Sequence, residues 1–140
     1  MGARWILVTG CSTGIGRALV GELRSRGWSV VATARQVEAL VDLAPGEDLR
    51  VLPLDVCDPE SIAAAVAACA DLSLVGLVNN AGYAQAGPLE LLTEAELRRQ
   101  LETNVIGLHA VTRAFLPLLR RNAPGEARLV QVASMLGRLS

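Results

Sequence analysis

The chain has 140 residues, 51% of them hydrophobic, and its 13 basic and 14 acidic residues leave a formal charge of −1. This composition excludes a disordered chain, and the balanced charge excludes the basic footprint of a general nucleic-acid or anionic-membrane binder. Every basic residue is an arginine: the sequence has no lysine, a single tyrosine (Tyr83) and a single histidine (His109). The length suits one domain over residues 1–140, with a core of Val, Leu, Ile and Ala because aromatics make up only 3%.

The N-terminus runs from Met1 to Arg4 straight into Trp5-Ile6-Leu7-Val8, the first predicted strand. That apolar run is too short for a signal peptide, and no stretch reaches the roughly 18 apolar residues of a membrane span. Gly2 lacks the Ser or Thr that a myristoylation signal needs at the position held by Ile6. Ile15, Ala18, Leu19 and Leu23 follow at helical spacing, with Gly27 placed to end the helix. Val30-Val31-Ala32-Thr33 and Val51-Leu52-Pro53-Leu54 read as the second and third strands. Asp58-Pro59-Glu60 opens a helix, with Asp as cap and Pro in the first turn.

Leu74-Val75-Gly76-Leu77-Val78 is the fourth strand, and Thr93-Glu94-Ala95-Glu96 is a capping box that starts a long helix reaching Arg120 or Arg121. Pro117 is expected to bend that helix. Leu129-Val130-Gln131-Val132 is the fifth strand. Strands apolar on both faces, alternating with helices, predict an α/β domain: a doubly wound, Rossmann-type parallel sheet with helices on both sides. Cys11, Cys57 and Cys69 are odd in number and lack metal-ligand spacing, so they read as reduced, mostly buried thiols of a cytoplasmic protein with no metal site.

Thr9-Gly10-Cys11-Ser12-Thr13-Gly14-Ile15-Gly16 lies between the first strand and the first helix. Its glycines permit a tight turn and close backbone approach, and the helix N-terminus offers free N–H groups to a pyrophosphate. The plainer alternative is a strand-to-helix turn without a ligand. No Gly-Lys-Ser/Thr follows, which disfavours ATP or GTP. At the end of the second strand, where an acid would bond a ribose 2′-hydroxyl, the chain has Thr33-Ala34-Arg35-Gln36. An arginine there suits a 2′-phosphate, favouring NADP over NAD; its other reading is a solvated surface residue.

These residues resemble the short-chain dehydrogenase/reductase family. The resemblance continues in order through Leu54-Asp55-Val56, Asn79-Asn80-Ala81-Gly82, Asn104 in Glu102-Thr103-Asn104-Val105-Ile106-Gly107, and Ser134 past the fifth strand. Gly-Cys-Ser-Thr-Gly-Ile-Gly with Ala-Thr-Ala-Arg is similar to members acting on steroids, retinoids and related alcohols. The resemblance implies that Gly10, Ser12, Thr13, Gly14, Ile15 and Gly16 hold the pyrophosphate and adjoining ribose. It implies that Asp55 and Val56 contact the adenine, and that Asn79, Asn80, Ala81 and Gly82 form the floor under the cofactor. Ser134 would hydrogen-bond the substrate oxygen and Asn104 would hold a relay water, in a hydride transfer between a nicotinamide cofactor and an alcohol or carbonyl. His109 reads as packing or solvated, and the pairs Arg98–Arg99 and Arg120–Arg121 as a solvated face.

The family's proton donor is a tyrosine beyond the serine, in a Tyr-x-x-x-Lys pair. Tyr83 is far from that place in sequence and no lysine is present. The resemblance therefore implies an N-terminal, cofactor-binding portion, truncated after the fifth strand and inactive by itself. It also implies a homo-oligomer through the helix beginning near Thr93. The alternative is a catalytically inactive dinucleotide-binding module or sensor. An S-adenosylmethionine or sugar-nucleotide enzyme is disfavoured by Asn79 to Gly82 and by Arg35.

Overall fold

A computed structural model describes residues 2–43 and 46–134. The N-terminal apolar run forms strand β1 (Arg4–Val8), and helix α1 (Gly14–Ser25) follows the glycine-rich turn. The helix closes with the Gly27 N–H on the Arg24 carbonyl at 2.9 Å and the Trp28 N–H on the Leu23 carbonyl at 3.1 Å, the paired bonds of a glycine-terminated helix. Strand β2 (Ser29–Ala34) is buried at all its positions, which is why its sequence shows no polar face. Strand β3 (Leu49–Pro53), helix α2 (Pro59–Ala68) and strand β4 (Ser73–Asn79) come next. Asp58 caps α2 by accepting from the Glu60 N–H at 3.0 Å, with Pro59 opening the helix as expected.

With strand β5 (Arg128–Gln131) the sheet is parallel throughout, in the order β3-β2-β1-β4-β5. The chain winds outward from β1 to β3, then crosses back to β4 and β5 on the other side of β1. This is the doubly wound Rossmann-type α/β fold, and its switch point lies between β1 and β4, where ligands gather at the carboxyl ends of the strands. Val8, Val30, Ala32 and Val78 pack with Val20 of α1 on one face. Leu7, Val31, Leu74 and Leu77 pack with Ile62 of α2 on the other. Neighbouring residues such as Leu7 and Val8 thus serve opposite faces, as strand alternation requires.

The long helix differs from its expected form. It consists of α3 (Glu94–Leu101), a π-helical turn (Glu102–Gly107) and α4 (Leu108–Asn122) in unbroken succession. The departure from α geometry falls at Glu102–Gly107, whereas α4 continues through Pro117. Its start matches the capping box: the Thr93 N–H donates to Glu96 Oε2 at 2.8 Å and the Glu96 N–H to Thr93 Oγ1 at 3.2 Å. The Thr93 N–H and the Thr93 hydroxyl, which donates to Glu96 Oε2 at 2.8 Å, hold the Glu96 carboxyl below its usual range. Strand β5 lies at the sheet edge with Leu129 and Val130 still 42% and 48% exposed. Among the described residues no helix is long and apolar enough to cross a membrane.

Phe115 of α4, wholly buried against the sheet, is the bulkiest contact fixing this helix over β4. Phe115→Ala is expected to destabilise the fold by about 3 to 5 kcal/mol through lost contacts and the cavity left behind, read as a lower urea midpoint at unchanged slope.

Candidate functional site

Buried at the end of β1, Thr9 joins the two strands that flank the switch point. Its N–H donates to the Val78 carbonyl at 3.0 Å, and its hydroxyl accepts from the N–H groups of Asn80 at 3.0 Å and Ala81 at 2.9 Å. The hydroxyl proton faces the Val78 carbonyl, 3.5 Å away. Asn80 returns the contact, its Nδ2 donating to the carbonyls of Thr9 and Gly10, each at 3.1 Å. Gly10 has φ +71°, and a Cβ there would lie 2.8 Å from the Ala81 Cα. A Cβ on Gly16 would press into both Asn80 Nδ2 and the Gly10 carbonyl. The turn and the segment after β4 are therefore in backbone contact, and only glycine fits at either position.

The N-terminus of α1 is open. Thr13, its cap residue, makes no side-chain cap bond, and the first turn carries no acid. By contrast, α2 and α3 are capped by Asp58 and Thr93. Thr13, Gly14 and Ile15 are exposed and Ser12 partly so, leaving the first-turn N–H groups and the positive helix end available to an anion. This arrangement fits a dinucleotide pyrophosphate. Beneath the turn, Cys11 donates its N–H to the Thr33 carbonyl at 2.8 Å and its thiol to the Val8 carbonyl at 3.2 Å.

Exposed Arg35 directly follows β2. Past β3, Asp55 Oδ1 accepts from the Cys57 N–H and the Asp55 N–H donates to the Ser61 hydroxyl, both at 2.9 Å. Val56 is buried. Asn79 is buried too, with its Nδ2 on the Thr112 hydroxyl at 2.8 Å, so it ties β4 to α4.

The π turn bridges two of these segments. Asn104 Nδ2 donates to the Tyr83 carbonyl at 2.7 Å while its Oδ1 accepts from the Tyr83 N–H at 3.1 Å. A Cβ on Gly107 would lie 2.7 Å from the Val56 carbonyl, and Cys57 Sγ lies 3.4 Å from Thr103 Oγ1. The turn thus touches the segment after β3 on one side and the segment after β4 on the other. Ser134 is exposed, three residues past β5. The Val132 N–H still bonds the Asn79 carbonyl at 3.0 Å, so the chain leads Ser134 towards the end of the sheet that carries Asn80 to Gly82. His109 is exposed, as expected.

Sequence reasoning missed the joining role of Thr9, the close approach at Gly107 and the tie from Thr112 to Asn79. The first had a signal in its position, directly after the strand and before the first glycine. The others depend on which helix crosses which strand. Arg121 is also more than a solvated side chain: it donates to the Ala70 carbonyl beyond α2 at 2.9 Å.

A family model described as short chain dehydrogenase matches residues 4–140. The chain is 39% identical over 139 residues to 3-amino-tetrahydro-pyrrolizinone reductase of Xenorhabdus hominickii, covering 96% of this chain and 47% of that protein. It is 38% identical over 144 residues to retinol dehydrogenase 16 of Homo sapiens, covering 98% and 44%. The chain thus spans about half the length of the curated relatives it matches. Among solved structures, a short-chain dehydrogenase from Streptomyces avermitilis superposes with TM-score 0.91 and 40% identity, covering 100% of this chain and 52% of that one. A short chain dehydrogenase from Burkholderia cenocepacia in complex with NADP superposes with TM-score 0.86 and 30% identity, covering 99% and 56%.

The three thiols lie in different surroundings. Burial pushes Cys11 and Cys69 each up to about 11, so neither ionises until the pH is far above neutral, whereas Cys57 is exposed. At about pH 8 iodoacetamide, which reacts with accessible thiolate, is expected to label exposed Cys57 alone in the native protein and all three thiols in urea, as read by peptide mass spectrometry.

Proposed function

The chain belongs to the short-chain dehydrogenase family, and from that premise we propose that it holds the cofactor of an NADP-dependent oxidoreductase acting on an alcohol or carbonyl. The observation that carries this reading is the uncapped N-terminus of α1, set behind a glycine turn that touches the segment after β4. Gly10, Ser12, Thr13, Gly14, Ile15 and Gly16 would hold the pyrophosphate and adjoining ribose through backbone N–H groups and two hydroxyls. Asp55 and Val56 would take the adenine, and Asn79 to Gly82 would form the floor beneath the nicotinamide end, with Asn80 nearest its ribose.

The cofactor supplies or accepts a hydride when bound. Ser134 would hydrogen-bond the substrate oxygen and so hold the reacting carbon in register. The Asn104 side chain is already committed to both backbone groups of Tyr83. A relay water would therefore rest on backbone carbonyls that the π turn releases from the α-helical ladder, with Asn104 acting as a positioning residue. These residues contain no lysine, so the proton donor and its partner lie outside this reading. The similarity to retinol dehydrogenase 16 and to the pyrrolizinone reductase supports a hydroxy or keto substrate, a steroid, a retinoid or another such compound.

Leu97, Leu101 and Val105 follow at four-residue spacing along α3 and the π turn and are each about half exposed. They support the proposed contact with a second copy of the chain. A cytoplasmic setting is proposed on the odd number and the spacing of the cysteines, which suit reduced thiols.

Preference for NADP rests on Arg35 standing where an acid would otherwise bond the 2′-hydroxyl. Calorimetry is expected to show tighter binding of NADPH than NADH. Arg35→Ala should cost NADPH about tenfold or more, the worth of a charge-assisted contact, while leaving NADH nearly unchanged. Equal affinities in the unmodified protein would refute the NADP assignment.

A further inference from the structure

Arg17 sits in the first turn of α1, directly after Gly16, and its backbone N–H makes an early bond of that helix, to the Thr13 carbonyl at 3.4 Å. Its side chain reaches the segment that follows β2. There Arg17 Nη1 donates to the Ala39 carbonyl at 3.1 Å, and Nη2 pairs with the carboxylate of Asp42. Ala39 belongs to a short 3-10 turn (Val37–Leu40) whose last residue, Leu40, is 1% exposed and packed in the core beside α1. The segment from Arg35 to Glu38 is therefore held at both ends. Ala34 fixes its start within β2, and Leu40 with the Arg17 fork fixes its finish.

We infer that Arg17 is the positioning residue for Arg35: by pinning Ala39 and Asp42 to α1 it sets the segment on which Arg35 meets a cofactor 2′-phosphate. Arg17 is not itself the phosphate ligand, because its guanidinium is already engaged with a carbonyl and a carboxylate. Two effects act in the same direction. A segment ordered before binding spares the ligand the cost of ordering it. The segment also carries Glu38 and Asp42, and pairing with Arg17 neutralises one of these charges, which would otherwise repel a phosphate. The Arg17 guanidinium holds the Asp42 carboxyl below its usual range, so the pair stays formed at neutral pH. An ion pair this exposed adds little to global stability, which makes cofactor selectivity its more sensitive readout.

The inference rests on the reading of Arg35 given above, and a double-mutant cycle separates the two. Calorimetry on the whole protein gives Kd for NADP+ and NAD+ in the unmodified protein, Arg35→Ala, Arg17→Gln, the double variant and Arg17→Lys, each first checked for folding by circular dichroism. Arg17→Gln is expected to weaken NADP+ by about three- to tenfold, the scale of ordering one or two side chains, and NAD+ by less than about twofold. In the Arg35→Ala background the same change should add almost nothing, because the two residues act through one contact. Arg17→Lys, which keeps the charge but not the fork, should recover part of the loss. If Arg35→Ala leaves the NADP+/NAD+ ratio unchanged, the reading of Arg35 fails, and the pin fails with it. If Arg35→Ala acts but Arg17→Gln weakens both cofactors equally, or its effect multiplies fully with that of Arg35→Ala, only the pin is overturned. Should Arg17→Gln not fold, Arg17→Lys carries the test alone: a loss confined to NADP+ and absent in the Arg35→Ala background supports the pin, and no loss or an equal loss for both cofactors overturns it.

Discussion

Two consecutive backbone N–H groups, those of Asn80 and Ala81, point at one buried hydroxyl, and the crevice at the switch point is built around that convergence. Past the end of β4 these donors have no strand partner in register, and each buried donor left unpaired would cost about 1 to 3 kcal/mol. Thr9 satisfies both while its own N–H keeps β1 in register with Val78. The joint brings the two backbones so close that Gly10 and Gly16 admit no side chain, and it places the Asn80 amide on the carbonyls of Thr9 and Gly10. The glycine turn, the open helix end and the loop after β4 are thereby held at fixed spacing by the protein's own bonds. A ligand entering there meets an ordered surface and does not have to create one.

The π turn is a second joint of the same kind, built from the helix side. An α-helix crossing the sheet at Asn104 and Gly107 would face two loops that come from different strands. Inserting a π turn lets Asn104 present both its carbonyl and its amide to Tyr83, and Gly107 lets the Val56 carbonyl come into contact. The segments after β3 and after β4 are thereby linked through the helix although their strands are not neighbours. Asn79, bonded to Thr112 one turn further along α4, fixes that helix to β4 and so limits how far the joint can shift.

Much of this was legible in the sequence, for identifiable reasons. Strand-length apolar runs such as Val30 to Thr33 and Leu74 to Val78 mark a sheet covered on both faces, and the caps Asp58 and Thr93 mark helix starts, because each feature acts within a few residues. The glycine turn was legible because a strand, a turn and a helix follow one another without interruption. The extent of the π turn was not: Asn104, a poor helix former inside the predicted helix, hinted at an opening there, but Pro117 drew attention as the site of a bend. The choice of Glu102–Gly107 is made by Val56 and Tyr83, which lie far away in sequence and reach the helix only once the sheet is assembled. Cys57 likewise could not be told from Cys11 and Cys69 by spacing. It is exposed because it immediately precedes the cap of α2, whereas Cys11 lies under the turn.

The all-arginine composition has a structural counterpart. Arg17 spans the Ala39 carbonyl and the Asp42 carboxylate, and Arg50 spans the Ala68 carbonyl and the Asp71 carboxylate. Arg24 grips Asp48 with two bonds of 2.8 Å. In each case one planar fork ties a helix to a connecting segment, or a strand to one, through two acceptors at once. A lysine ammonium, a point charge on a flexible stem, would hold such a pair of acceptors less rigidly. These forks lower the carboxyls of Asp42, Asp48 and Asp71, so the ties hold above the ordinary carboxylate range and are released as the pH falls below it. The three ties do different work. Those of Arg24 and Arg50 secure the segments before β3 and after α2, away from the crevice. The tie of Arg17 alone among these three starts from the first turn of α1, directly after the glycine turn, and ends just past the residues that follow Arg35, which is the placement on which its proposed role in cofactor binding rests.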